Sequence, residues 1–199
     1  MASSPRSDSV FLNIPFDRDY EPLLLALITG VVGVGSVPRC VLEIPDGGTG
    51  RLTRLLDLIR ECDSSIHDLS QVALSKGVPR FNMPFELGLA CALAQDRGDR
   101  SFFVFERRRY RIQRSLSDIN GIDPQIHGGT GRGVLRAVLN CFTSNRAKPS
   151  LRDLEHLYRA VQSAAAEAKE LNGVKSLYSR TIYKEVVAAT FALAAPAPR

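Results

Sequence analysis

VFLNIPFDRDYEPLLLALITGVV, residues 10–32, passes from a short β-rich run through a turn with Pro and Asp into a long apolar stretch. VFLNI (10–14) predicts a first strand and YEPLLLALITGVV (20–32) the helix after it. The alternation repeats. PRCVLEI (38–44) predicts a second strand, followed by a helix in GRLTRLLDLIREC, where Leu52, Leu55, Leu56 and Ile59 fall at helical spacing. SSIHDLS (64–70) predicts a short third strand, PFELGLACALAQ (84–95) a third helix, and SFFVFE (101–106) a fourth strand. Repeated strand-then-helix units predict a parallel sheet with helices on both faces, in the order 2-1-3-4. A long irregular connection, RIQRSLSDINGIDPQIHGGTGRG, holds a helical turn and a short strand before helix VLRAVLNCF. Residues 150–171 place Leu151, Leu154, Leu157, Tyr158 and Val161 on one helical face and stop at Asn172 and Gly173. With a further helix over 176–193 they predict a helical hairpin that packs on the α/β unit or on a partner subunit. APAPR is expected to be a frayed tail. The expected division is an α/β domain at 9–145 and a C-terminal helical appendage at 150–194.

Composition narrows the function classes. At 199 residues, 44% hydrophobic and 24% charged, the chain supports one full globular core. The net charge of +5 comes from 26 basic residues, 21 of them Arg, against 21 acids. Six of those arginines lie in RSFFVFERRRYRIQR (100–114), which could bind an anion, a nucleotide or nucleic acid; a solvated edge after a strand is the plainer alternative. Cys40, Cys62, Cys91 and Cys141 lack CxxC or Cys/His spacing, so neither a zinc site nor a disulfide framework is expected. MASSPRSDSV has no signal-peptide layout, and no apolar run is long enough to span a bilayer. A cytoplasmic protein without membrane contact is the expectation.

PRFNMPFELGLACALAQ (79–95) holds one carboxylate, Glu86, in an uncharged run from Phe81 to Gln95. Asn13, Pro15, Phe16 and Asp17 echo Asn82, Pro84, Phe85 and Glu86. In a sheet of order 2-1-3-4, ligands settle outside the carboxyl ends of the first and third strands, where the order reverses. There Asp17, Asp68, Ser70 and Glu86 are expected to converge, with Asn13 and Asn82 as amide donors. Phe16, Tyr20 and Met83 of the same loops complete the expected substrate-binding set. The helix of Glu86 is apolar on every side and should be buried, which would shift the carboxyl pKa. A carboxylate so placed suits attack on, or stabilisation of, a sugar carbon with oxocarbenium character, with Asp68 as the second acid. Two plainer alternatives stand beside this: Glu86 answering the helix dipole from a first turn, and Asp68 tying down loop amides.

VFLNIPFDRDY, PRCVLEI, RLLDLIRECDSSIHDLS, PRFNMPFELGLA and SDINGIDPQIH together resemble a bacterial family of small proteins related to nucleoside 2-deoxyribosyltransferases and TIR-type domains. The resemblance covers roughly residues 9–145. It implies a flavodoxin-like fold and a site for N-glycosidic bonds, acting on a deoxynucleoside in one branch and on NAD in the other. It also implies Glu86 as nucleophile and Asp68 as a substrate-binding acid. NIPFD departs from the transferases' aromatic-plus-glycine-proline opening, so hydrolysis or binding alone stand beside base transfer.

The expected function is therefore an N-glycosidase or deoxyribosyltransferase-like enzyme, with an NAD-depleting antiphage effector as one form of it. No cofactor is expected, and NAD would enter as substrate. The alternative is a non-catalytic nucleotide-binding signalling module, and the weakest option is a nucleic-acid binder. A homo-oligomer and a defence-system partner protein are the expected macromolecular partners.

GGTGR occurs at 47–51 and 128–132, each time before a helix, so Gly48, Thr49 and Arg51 are candidates to hold a phosphate. A flexible loop into a helix start is the plainer alternative. His127, with Asp118 and Asp123, is a candidate wall of the site. His67 and His156 have no partners discernible from sequence.

Overall fold

Five strands, β1 (Ser9–Asn13), β2 (Val37–Arg39), β3 (Ser64–Asp68), β4 (Ser101–Glu106) and β5 (Gln125–Ile126), form one all-parallel sheet in the order β2-β1-β3-β4-β5. They belong to a computed structural model, which describes residues 8–44, 50–71, 80–97, 101–112, 116, 121–142 and 149–195. The helices are α1 (Glu21–Gly33), α2 (Arg51–Glu61), α3 (Asn82–Arg97), α4 (Gly131–Cys141), α5 (Leu151–Leu171) and α6 (Arg180–Ala194). The fold is flavodoxin-like α/β with a C-terminal helical hairpin, α5 and α6.

The strand period sorts side chains to the two faces of the sheet. Val10 and Leu12 of β1 join the core built on α1, α4 and the hairpin, while Phe11 joins a smaller core with Leu55, Leu58 and Ile59 of α2 and Ala90 of α3. α1 is covered all round. Leu23, Leu24, Leu25, Leu27, Ile28, Val31 and Val32 are all buried, because the sheet, α4 and the hairpin each take a side of this helix. Its lone buried hydroxyl is satisfied, since Thr29 Oγ1 donates to the Leu25 carbonyl at 2.7 Å. The hairpin thus packs on its own α/β unit, and its Leu154, Val161, Ile182 and Tyr183 are continuous with the main core.

Three expectations change. β2 ends at Arg39, because the Cys40 N–H donates to Glu43 Oε1 at 2.8 Å and the chain turns into a 3-10 segment, Val41–Glu43. β3 ends at Asp68, whose carboxylate takes the Ser70 N–H at 2.8 Å and closes a turn. α3 is not buried on every side: Met83, Glu86, Leu87 and Ala90 face inward, while Asn82, Phe85 and Gly88 are exposed. It packs on one face of the sheet, over β1, β3 and β4, with nothing described above it, whereas α1 has layers on both sides. Leu52, at helical spacing in α2, likewise points to solvent.

The first residues, the last four, Gly48, Thr49, Asp118, Arg100 and Arg114 lie outside the described residues. Among the described residues no helix is long and apolar enough to cross a membrane.

Candidate functional site

Parallel strands place their carboxyl ends, and the amino ends of the following helices, at one edge. A cavity of about 580 Å³ opens there. Phe16, from the loop after β1, and Val41, Leu42 and Ile44, from the segment after β2, form its apolar wall with Leu55 of α2. Arg51 and Arg54 of α2, Glu86 of α3 and Arg180 of α6 supply the charge. The crevice therefore reaches toward β2 rather than resting only between β1 and β3.

Glu86 is 8% exposed, and among the described residues nothing donates a hydrogen bond to its carboxylate. Burial pushes its pKa up to about 7, against a weaker opposing pull from the Arg51 guanidinium. Helix capping does not explain it. α3 begins at Asn82 and has no acid in its first turn, so Glu86 sits a turn further in, where the dipole's effect has fallen off.

Asn13 fixes the start of α3. Its side-chain amide donates to the Met83 carbonyl and to His67 Nδ1, each at 2.9 Å. With Nδ1 accepting, His67 carries its proton on Nε2, which donates to Ser65 Oγ at 2.9 Å. His67 has partners after all, and complete burial lowers its pKa to about 3. Asn13 and Met83 are both buried and position Glu86 from behind. Asn82 is exposed and, among the described residues, reaches only the Met83 sulfur, at 3.8 Å.

Asp68, Ser70, Tyr20 and His127 gather into a second, closed cluster. The Tyr20 hydroxyl donates to Asp68 Oδ2 at 2.5 Å, and His127 Nε2 lies 3.3 Å from the same oxygen and 2.8 Å from Ser70 Oγ. Gly129 N–H donates to His127 Nδ1 at 3.0 Å, which leaves the proton on Nε2. Burial opposes ionisation of Asp68, but the hydrogen bonds from His127, Ser70 and Tyr20 outweigh it and hold the carboxyl below its usual range. Burial and the adjacent Asp68 raise Tyr20 well above an ordinary phenol. All four side chains are buried. The arrangement ties the ends of β3 and β5 to the start of α1, and none of the four lines the Glu86 cavity among the described residues.

Asp17 takes a third course, accepting from both terminal nitrogens of Arg80, the Nη2 bond at 2.6 Å. Of the expected residues, the cavity thus unites Phe16, Arg51 and Glu86. Asp123 is exposed and belongs to none of these groups. In the second GGTGR copy Thr130 caps α4, accepting from the Gly133 N–H at 3.0 Å, and Arg132 pairs with Glu155 at 3.0 Å, so that copy has a structural explanation. Arg107, Arg108 and Arg109 of the basic run are exposed, while Arg111 Nη1 donates to the Ser70 carbonyl at 2.7 Å.

Sequence reasoning missed Arg54 and Arg180. Arg54 is one of several arginines in an amphipathic helix, and Arg180 lies in the tail, outside every motif. No three His, Cys, Asp or Glu side chains cluster to hold a metal ion among the described residues. Comparison with protein-family models finds no match for the chain, and comparison with curated proteins finds no significant one.

Proposed function

We propose that this protein cleaves an N-glycosidic bond in a nucleotide or nucleoside, with NAD and deoxynucleosides as the candidate substrates and Glu86 as the acting carboxylate. The observation that carries the proposal is Glu86 itself: nearly buried, without a hydrogen-bond donor among the described residues, and lining a cavity of ligand size. A nearly buried carboxyl without a hydrogen-bond donor is unfavourable as the anion, and groups held that way beside a cavity are candidates for acting on a ligand brought to them. As nucleophile, Glu86 forms a bond to the anomeric carbon while the C–N pair leaves with the base; water then displaces the carboxylate, and the proton it loses ends on the departed base of a deoxynucleoside or, with NAD, whose nicotinamide leaves neutral, in solvent. As stabiliser, it offsets the positive charge that grows on that carbon. With a pKa near 7, the acting form is the one populated as pH rises through neutrality. Cleavage of NAD in defence against phage is one role consistent with this chemistry.

One observation favours a second reading, a nucleotide-binding signalling module without catalysis. Glu86 is the sole carboxylate lining the cavity among the described residues, and Asp68 is enclosed in its own cluster.

Incubating the protein and its Glu86→Gln variant with NAD and with each deoxynucleoside, and following free base by chromatography, decides between them. Release by the wild type and not by the variant is expected. Nucleotide bound with no base released from any substrate sinks the enzymatic reading.

A further inference from the structure

Arg51 and Arg180 occupy the same position in two different helices. Each is the first residue of its helix, α2 or α6, and neither helix has an acid in its first turn. The positive end of a helix dipole disfavours a cation there. Both arginines nevertheless line the cavity of Glu86, and among the described residues neither forms an ion pair. The start of α2 has a further opening: its cap is Gly50, which brings no side chain to the first-turn amides. Arg51, Arg54 and Arg180 against the one carboxyl of Glu86 leave the cavity's described lining net positive, and the amino end of α2, which no side chain caps, adds to a field suited to an anion; that of α6 is already capped by Ser179, which accepts from the Ile182 N–H. Glu86 in the same cavity, nine-tenths buried and without a donor among the described residues, marks the place as built for a ligand.

The place of Arg180 is set by the hairpin's attachment. Two residues earlier the Tyr178 hydroxyl donates to the Asp17 carbonyl at 2.6 Å, and its ring meets that of Phe16 with centroids 5.3 Å apart. Glu21, at the start of α1, accepts from the Leu177 N–H at 2.8 Å and from Lys169 Nζ at 3.1 Å. The segment that leads into α6 is thus pinned to the loop that follows β1, beside the cavity wall.

We propose that Arg51 and Arg180 together grip a phosphate of the ligand, and that the C-terminal hairpin, through Arg180, makes the cavity select a phosphorylated nucleotide over the bare nucleoside. This rests on the reading that the cavity takes a nucleotide, though not on whether it cleaves one. Guanidinium groups meet phosphate oxygens bidentately, which suits them to this grip.

The test is calorimetric binding of adenosine, AMP, deoxyadenosine, dAMP and inorganic pyrophosphate to the full-length wild type and to Arg180→Ala, Arg180→Lys and Arg51→Ala. The expected result is that the wild type prefers a monophosphate over its nucleoside by tenfold or more. Arg180→Ala removes most of that preference while nucleoside affinity stays within about twofold, and Arg180→Lys keeps part of it. Melting of Arg180→Ala at or above the wild-type temperature is also expected, because a cation leaves a helix amino end; a lowered melting temperature assigns Arg180 to the fold instead. A wild type without phosphate preference, an Arg180→Ala variant that keeps it, or no binding of any probe overturns the proposal. Phosphate preference without base release sinks the cleavage reading alone, and base release without phosphate preference sinks this one alone.

Discussion

The Tyr178 hydroxyl and the Asp17 carbonyl, 161 residues apart in the chain, meet at 2.6 Å and join the C-terminal hairpin to the loop after β1. Burial raises the Tyr178 pKa, so the group donates at every working pH. Tyr178→Phe keeps the ring against Phe16 and removes only this bond. A loss of about 0.5–1.5 kcal/mol in urea unfolding is expected, with a larger relative loss of nucleotide affinity as Phe16 and Arg180 lose their mutual placement. Unchanged affinity with lowered stability would separate the hairpin from the cavity.

Glu86 and His67 predict an unusual pH profile of stability. Glu86 titrates at about 7 in the fold against an ordinary 4.5, so the folded state holds the proton longer; the stability present below about pH 4.5 is lost as pH rises to about 7. His67 titrates at about 3 against 6.5, so its contribution is full above 6.5 and lost as pH falls toward 3. Between 4.5 and 6.5 the two slopes oppose each other, each at most ~1.4 kcal/mol per pH unit. The wild type should therefore be nearly flat across that window as far as these groups decide it. Glu86→Gln uncovers the His67 slope and is more stable than wild type at pH 8, on the order of 2–3 kcal/mol. Urea midpoints at pH 5, 6 and 8 check this, and a Gln variant weaker than wild type at pH 8 would refute it.

Asn13→Ala leaves His67 Nδ1 buried without its donor and releases the Met83 carbonyl. A cost of roughly 1–3 kcal/mol follows from the stranded groups. Because Met83 lies one turn before Glu86 on α3, the variant should also lower the turnover of base release more than a surface change of equal stability cost. Equal effects on stability and turnover would remove Asn13 from the positioning of Glu86.

At Gly133 a Cβ would stand 1.9 Å from the His127 carbonyl oxygen, a backbone atom that cannot swing aside. Gly133→Ala must therefore displace His127, the partner of Asp68 and Ser70. The expected loss is about 2–4 kcal/mol, the range of overpacking and a broken buried network together. Altered imidazole nitrogen shifts in NMR would locate the damage at His127; a variant as stable as wild type would count against the close approach.

Strand and helix order was legible in the sequence because period-2 and period-3.6 patterns are local: VFLNI and SFFVFE correspond to β1 and β4 within a residue. The end of β2 was not, since it depends on the Glu43 carboxylate returning to the Cys40 amide. The burial of α3 was misjudged because apolar composition does not tell which faces meet another layer. Glu86 stood out as the only charge in its run. Asp68 stood out equally, yet its enclosure by Tyr20, Ser70 and His127 arises from the meeting of three distant segments. Arg180 was invisible for the same reason: its meaning comes only from where Tyr178 and Glu21 hold it.

The enclosure of α1 on every side sets the smallest portable unit of this protein. A fragment ending before residue 149 would strip α1 of the cover that the hairpin gives it, where Tyr158 reaches the Pro22 carbonyl and Leu154 lies against Gly33. The hairpin is therefore no detachable module, and trimming or grafting must carry the chain through α6.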